Sequence, residues 1–260
     1  MDTSPTRSPA PTTGRPDAGA RDVLVVQHAA WEGPGLVGRA LEARGIPWRS
    51  VTVLDEAEPE LPDVGSLGGL VVMGGGMGAL DDARHPGLVA ERRLLATATE
   101  AGVPVLAICL GMQLLAVALG GTLHSGAGRE VGFGPVALTG AGIRDPYLYP
   151  LSVDATPDPS VVHWHSDAVD APPGASVLAS SGVTPVQAFR AGSAVGLQFH
   201  LELDGPMLRT WLAEPDMAAD LAADEAERLA HDAAARFPSL VPRALVAFSA
   251  FAGAVESWRG

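Results

Sequence analysis

The chain lacks lysine, so its positive charge comes from 17 arginines, which face 30 acidic residues among the 260 positions. A formal net charge of −13 repels phosphate backbones and anionic lipid headgroups. We therefore expect neither a nucleic acid nor a membrane surface as a partner of this protein.

Cysteine is nearly absent as well, and the single residue Cys109 excludes an internal disulfide. A cytoplasmic location is the simplest expectation for such a chain. No continuous apolar run approaches the roughly 18 residues that a membrane-spanning helix needs.

The first 21 residues lack the apolar segment of a secretory signal and are rich in Pro, Thr, Ser and Ala. Their composition predicts a disordered tail over residues 1–21, with a docking or processing segment as the alternative. Over the whole chain, 47% hydrophobic and 18% charged residues exclude global disorder and allow one large folded domain or two small ones.

Short apolar runs alternate with helical patterns and glycine loops through the first half of the chain. The predicted strands are Val23–Val26, Val51–Leu54, Gly69–Met73 and Val103–Ile108, and the predicted helices are 36–45, Pro86–Ala101 and Leu110–Leu119. This order predicts an α/β fold with a doubly wound, mostly parallel sheet flanked by helices. Ligands of such sheets gather beyond the carboxyl ends of the strands.

The second half of the chain is richer in short strands and Pro/Gly turns, with candidates at 136–138, 176–178 and 186–189. We expect a small antiparallel extension there, followed by a buried strand at 195–199 and mostly helix from Pro206 onward. The predicted organisation is an α/β domain over 22–215 and a C-terminal helical extension, 216–260, packed on the same domain.

Cys109 follows a buried apolar strand and precedes a helix, with the small residues Ala107 and Gly111 two positions to either side. This is the pattern of a nucleophile elbow, whose strained turn tolerates little bulk nearby. The helix N-terminus favours a thiolate at that position. An inert buried cysteine is the alternative interpretation.

Two further segments would complete the chemistry of such a nucleophile. Gly74-Gly75-Gly76, at the end of a strand, can aim a backbone N–H at a developing oxyanion, although it could equally be a tight connection. His200 and Glu202 lie two residues apart on a strand end, where a carboxylate can orient an imidazole. A structural histidine beside a solvated glutamate is the alternative.

The segment His163-Trp164-His165-Ser166-Asp167 places two histidines on one side of a predicted strand. Alternate histidines can form a metal pair, but no set of four ligands is evident, so we expect no metal and instead a substrate contact. His28 ends the first strand and could reach the ligand edge of the sheet.

In combination and in this order, the motifs resemble class I (triad-type) glutamine amidotransferases, such as the glutaminase domain of GMP synthetase and its free-standing relatives. The resemblance covers about 22–215 and rests on 73–78, 102–116, 129–132, 163–167 and 196–202. It implies a flavodoxin-like α/β fold and no cofactor.

The family's roles carry over by position. The resemblance implies Cys109 as nucleophile, His200 as general base and acid, Glu202 as its orienting carboxylate, and the N–H groups of Gly75 and Leu110 as the oxyanion hole. It further implies that the substrate-binding residues are Gln113, Trp164, His165 and Asp167. The chain departs from the family at Ala107, where glycine is usual, and at Gly76 and Leu201, where proline is usual.

The first hypothesis is therefore an amidohydrolase of the amidotransferase type that acts on glutamine or a γ-glutamyl small molecule through a Cys109 thioester. Ammonia transfer would need a separate synthetase or acceptor subunit, because no ATP-binding synthetase domain is visible in the chain. The alternatives are a γ-glutamyl peptidase without ammonia transfer, a non-catalytic regulatory subunit on the same fold, and a different cysteine enzyme on a related sheet.

Overall fold

The computed structural model describes residues 21–152, 159–219 and 221–258. The predicted disordered tail therefore lies outside the described residues, apart from Arg21. The strands, in chain order, are β1 Val23–Val26, β2 Trp48–Val51, β3 Gly69–Val72, β4 Val105–Ile108, β5 Leu123–His124, β6 Glu130–Pro135, β7 Ala137–Leu138, β8 Ser160–His165, β9 Ala168–Val169, β10 Ser176–Ser180, β11 Ala188–Ala191 and β12 Ala194–Leu197. The α-helices are α1 Gly35–Glu42, α2 Gly87–Glu100, α3 Leu110–Ala118, α4 Gly205–Ala213, α5 Pro215–Ala218 and α6 Ala223–Ser257.

Eight of the strands form one sheet in the order β2-β1-β3-β4-β12-β11-β10-β7. The first five strands in that order pair in parallel, and the last three pair antiparallel. The predicted doubly wound, mostly parallel sheet with an antiparallel extension is thus confirmed. Its parallel part has the strand order of flavodoxin-like folds.

The register of the parallel strands brings three chain segments to one edge of the sheet. Val72 pairs with Ala107, and Ile108 pairs with Leu197, so β3, β4 and β12 end almost together. The residues that follow these strands are the glycine loop from Gly74, then Cys109, and then His200. The sheet itself therefore assembles the three sequence-predicted motifs.

The second strand differs from its prediction. It was expected at Val51–Leu54 but lies at Trp48–Val51, paired in parallel with β1 at the edge of the sheet. Its residues are half-buried or exposed, so they lack the apolar pattern that marks the other strands. Val53 and Leu54 are apolar because they pack in the loop that runs beneath α2.

Side chains of the parallel strands alternate between two apolar layers, as the two-residue period of a strand requires. Val23 and Val25 pack in the layer of α1 and α6, whereas Leu24 and Val26 pack in the layer of α2 and α3. Both faces of the sheet are covered at β1, β3, β4 and β12, which explains why these strands, unlike β2, carry no polar side chains.

Helix α6 packs along α1 and also contacts β6 and β8. Its inner face carries Leu240, Ala244, Phe248 and Phe251, which belong to the core cluster of that layer. By length and composition alone, Asp224–Ser257 is long and apolar enough to cross a membrane, with a mean hydropathy of 1.4 in its most apolar 18-residue window. The expectation of no such segment considered only continuous apolar runs. In the structure, 39% of that window is buried in the protein.

Candidate active site

Cys109 links β4 to α3 in a left-handed backbone conformation, with φ of 52° and ψ of −109°. Among the described residues it is the one non-glycine residue with positive φ. Its N–H donates to the Leu197 carbonyl at 2.7 Å, and its carbonyl accepts from the Gln113 N–H at 3.1 Å. Such strain, held in place by its surroundings, is typical of a functional position.

Steric contacts explain why the residues that flank Cys109 are small. A Cβ on Gly111 would overlap the carbonyl of Val72, and the Gly111 N–H donates to Met73 at 3.1 Å. Helix α3 therefore begins in direct backbone contact with the end of β3. Ala107 is fully buried between β3 and β12, so the departure from glycine at this position fits in the sheet.

Two backbone N–H groups flank the nucleophile. The N–H of Leu110 begins α3, and Gly75 lies against the Leu110 side chain, so close that a Cβ on Gly75 would lie 2.6 Å from Leu110 Cδ2. Neither N–H donates to a protein acceptor among the described residues. Both donors are therefore free for a ligand, as the predicted oxyanion hole requires.

A buried pair below the glycine loop holds it in place. His28 contacts the carbonyl oxygen of Gly74 through Nδ1 at 2.7 Å and Glu91 Oε2 through Nε2 at 2.9 Å. Burial alone would lower the pKa of His28, but the hydrogen bond and charge of Glu91 outweigh it and raise the pKa. The sequence analysis left open that His28 could reach the ligand edge, and in the structure it contacts the glycine loop from beneath.

His200 follows β12 and is buried beside the nucleophile. Its Nδ1 lies 2.6 Å from Glu202 Oε1, and the ring stands edge-on to Trp211 with centroids 5.0 Å apart. Burial would lower the pKa of His200, but the charges of Glu202 and Cys109 and hydrogen bonds to both raise it well above its usual value. The imidazole lies between a carboxylate and a thiol, and both favour its protonated form.

A cavity of about 260 Å³ opens at this edge of the sheet. Among its lining residues are the sequence-predicted nucleophile, imidazole, glycine loop and substrate contacts: Gly75, Cys109, Gln113, Trp164, His165, Asp167 and His200. Glu202 lies behind His200, and Leu110 is buried beneath the loop. All nine sequence-predicted site residues thus come together around one cavity.

The predicted substrate contacts are held by neighbours within the protein. Gln113 Nε2 donates to Gln198 Oε1 at 3.3 Å, and Asp167 Oδ1 accepts from the Gly126 N–H at 2.8 Å. The Trp164 carbonyl lies 3.7 Å from Cys109 Sγ, and its ring packs edge-on to Trp211. These contacts fix part of the cavity wall.

Three side chains other than Cys109, His200 and Glu202 could hold a metal ion: Glu130, His163 and His165, whose donor atoms lie within 4.8 Å of one another. Asp167, grouped with the histidines in the sequence, is not among them. Burial alone would raise the pKa of Glu130, but hydrogen bonds with His165, Ser181 and Thr184 lower it to about 2. Burial lowers the pKa of His163 to about 4, so this imidazole is neutral near pH 7.

Sequence reasoning missed several residues that line the cavity. Glu32 comes from the loop after β1, Arg129 precedes β6, and Trp211 and Met217 come from the helices after β12. Glu32 had a detectable signal, because it follows a strand at its carboxyl end. Burial raises the pKa of Glu32, an effect that nearby Glu202 adds to and that His28 and His200 oppose.

The remaining departures from the family pattern also lie at the site. Gly76 lines the cavity, and a Cβ there would meet nothing within 4 Å. Leu201 is buried between His200 and Glu202, and its side chain belongs to the core. The bond from His28 to Gly74 restrains the loop that Gly76, in place of proline, leaves freer.

Comparison with known proteins places this geometry in a family. The sequence profile of "Glutamine amidotransferase class-I" matches residues 38–209. The glutamine amidotransferase-like protein YfeJ of Salmonella typhimurium is 34% identical over 186 residues, which cover 69% of this chain and 75% of YfeJ. A GMP synthase of Streptomyces avermitilis is 32% identical over 203 residues, 75% of this chain but only 34% of that longer protein.

A solved structure agrees with the sequence relatives. The glutamine amido transferase from Methylobacillus flagellatus superposes with a TM-score of 0.76 at 27% identity, covering 91% of this chain and 96% of that one. Fold, site geometry and sequence profile point to the same group, and the chain belongs to the class-I glutamine amidotransferase family.

Proposed function

We propose that this protein cleaves the γ-amide of glutamine, or of a γ-glutamyl compound, through a covalent thioester on Cys109. The observation that carries the proposal is one cavity in which the strained Cys109 lies between two free N–H groups and an imidazole bonded to Glu202 at 2.6 Å. Nucleophile, base and orienting carboxylate are the parts that acyl transfer through a thiol requires.

In the first half of the reaction, the Cys109 thiolate attacks the γ-carbonyl carbon and forms a C–S bond. The N–H groups of Gly75 and Leu110 hold the resulting oxyanion, and loss of one such donor lowers the rate roughly 10²- to 10³-fold. His200 gives its proton to the departing nitrogen as the C–N bond breaks. A γ-glutamyl thioester remains, and ammonia or an amine leaves.

In the second half, water replaces the amine. His200 takes a proton from the water, and the resulting hydroxide attacks the carbonyl carbon of the thioester. The C–S bond then breaks, which releases glutamate and the Cys109 thiolate. Glu202 holds the imidazole in one orientation throughout. Gln113, Trp164, His165 and Asp167 hold the glutamyl part, since they form the cavity wall facing the nucleophile.

The released ammonia passes to a separate synthetase or acceptor in an amidotransferase, and to solvent in a γ-glutamyl hydrolase. The relation to GMP synthases supports the first arrangement. The chain spans only about a third of those proteins, so the partner belongs to the proposal.

The test is glutamate release from glutamine and from a panel of γ-glutamyl amides by wild type and Cys109→Ala. We expect release by the wild type alone, with both proteins melting at similar temperatures. A glutamine analogue with a γ-diazoketone gives a second measurement, because it should label Cys109 covalently even where turnover needs a partner. Absence of both release and Cys109 labelling would rule out the proposed nucleophile.

A further inference from the structure

Glu32 is a buried carboxylate in the cavity that the mechanism above does not use. Glu32 is 4% exposed, and it lines the cavity together with Cys109 and His200. Among the described residues, no side-chain hydrogen bond or ion pair involves this carboxylate, and its oxygens keep some exposure to the cavity. Burial raises the pKa of Glu32, so the ionised carboxylate is poorly solvated there and a ligand N–H would stabilise it.

Distances from Gly74 show how close Glu32 lies to Cys109 and His200. A Cβ built on Gly74 would lie 3.4 Å from Glu32 Oε1, 3.4 Å from His200 Cε1 and 3.7 Å from Cys109 Cβ. All three atoms therefore lie within 4 Å of one point beside Gly74, so Glu32 Oε1 is at most about 7 Å from His200 Cε1 and from Cys109 Cβ. A small group that enters the cavity next to His200 is thus close to a carboxylate that can accept a hydrogen bond from it.

The proposed mechanism says which atom comes to this region. His200 protonates the departing nitrogen, so that nitrogen lies beside the imidazole when the C–N bond breaks. The nitrogen of a primary or secondary amide carries N–H donors, and it gains another as it leaves. The Glu32 carboxylate can accept a hydrogen bond from one of these N–H donors.

We propose that Glu32 forms the leaving-group subsite, which accepts an N–H from the departing nitrogen and excludes leaving groups that carry a carboxylate. This inference rests on the proposed function and names its substrate class: glutamine and γ-glutamyl amines, in preference to γ-glutamyl amino acids. In a γ-glutamyl amino acid, the α-carboxylate is two bonds from the scissile nitrogen. It would approach Glu32 in a site with little water, where like charges repel strongly.

The experiment compares two substrates that differ in charge alone, γ-glutamylglycine and γ-glutamylglycinamide, with glutamine as reference. The enzymes are wild type, Glu32→Gln, Cys109→Ala and the control Glu58→Gln, which changes an exposed glutamate remote in sequence. For the wild type we expect kcat/KM to favour the glycinamide conjugate roughly tenfold or more. In Glu32→Gln that ratio should fall toward one, chiefly because hydrolysis of γ-glutamylglycine increases.

The melting temperature provides a second readout. Glu32→Gln should melt at or above the wild-type temperature, since an unpaired buried charge has been removed. A lower melting temperature would mean that the carboxylate has a structural partner, and would overturn the subsite. The same substrate ratio in wild type and Glu32→Gln would also overturn it, provided that Cys109 is needed for release. Absence of both Cys109-dependent release from every substrate and Cys109 labelling by the diazoketone analogue would instead refute the proposed function.

Discussion

At the scale of single residues, the neighbours of Cys109 hold its strained backbone in place. Cys109 is held with φ of 52° because both of its backbone groups are bonded, to Leu197 and to Gln113. A strained residue of this kind costs of order 1–3 kcal/mol and persists only where its neighbours fix it. The neighbours that matter most are the small ones, because they let strand and helix backbones touch.

Gly111 is where that contact is tightest. In Gly111→Ala, the new Cβ would meet the backbone carbonyl of Val72, which cannot move without shifting β3. We expect a loss of stability of about 1–3 kcal/mol and a loss of activity, measured by urea unfolding and glutamate release.

Gly76→Ala is the matched control for this substitution, since its Cβ meets nothing within 4 Å. We expect it to unfold at an equal or slightly higher urea concentration. If both variants were equally stable, close packing at Gly111 would not be what shapes the elbow.

The pair of His28 and Glu91 gives a prediction about pH. The pKa of His28 is raised in the folded state, so the pair contributes its full stability below the ordinary histidine pKa of 6.5 and loses it as pH rises through the raised value. Breaking a buried pair is typically worth about 3 kcal/mol. Glu91→Gln should therefore be destabilised by roughly this amount at pH 6 and by progressively less at higher pH.

The measurement is urea unfolding of wild type and Glu91→Gln between pH 6 and 9, with the exposed Glu100→Gln as control. Taking the difference between variants removes the contribution of other titrating groups. Parallel stability profiles for wild type and Glu91→Gln would contradict the assignment of the pH dependence to this pair.

At the scale of elements, the C-terminal helices are part of the site as well as of the fold. Trp211 of α4 packs on His200, Met217 of α5 lines the cavity, and Glu225 of α6 forms a two-point ion pair with Arg129 at the cavity wall. The last contact joins the start of α6 to the residue that precedes β6. The helices after β12 therefore help to position the imidazole and to close the cavity.

The contribution of α6 to stability can be measured by substituting one residue on its buried face and one on its exposed face. Phe251 is fully buried and packs edge-on to Tyr147, whereas Val246 is 59% exposed. Phe251→Ala should lower the free energy of unfolding by about 3–5 kcal/mol. Val246→Ala should change it by less than about 0.5 kcal/mol. Similar effects of both substitutions in urea unfolding would mean that α6 does not pack on the domain as described.

Sequence patterns located elements where burial was complete and failed where it was partial. Helix α2 was predicted within a residue at either end, and its cap Pro86 was recognised. Strand β2 was displaced by three residues, because an edge strand with polar side chains has no apolar signature. Strand β6 was missed for a related reason, since its residues are only partly buried and it pairs with β8 outside the main sheet.

For the whole molecule, the excess of acidic residues has a thermodynamic consequence. A net charge of −13 makes the compact state repel itself, and salt screens that repulsion. Exposed ion pairs such as Arg44 with Glu256 and Arg228 with Asp224 oppose the trend but contribute little each. We expect the melting temperature to rise by roughly 2–4 °C between 20 and 300 mM NaCl.

Calorimetry at constant pH checks this expectation. A melting temperature that falls with salt would mean that specific ion pairs outweigh the net repulsion. The comparison is best made with sodium chloride, since sulfate and phosphate stabilise folded proteins by exclusion from the surface.

The sequence by itself determined the alternation of buried strands and helices, and with it the edge of the sheet where Cys109, the glycine loop and His200 would meet. It could do so because the side chains of covered strands are uniformly apolar and because a strained turn requires small neighbours. Tertiary structure alone decided which groups face the cavity from distant loops. The packing of Trp211 on His200 and the support of Gly74 by His28 depend on contacts between segments far apart in the chain, and local sequence patterns contain no record of such contacts.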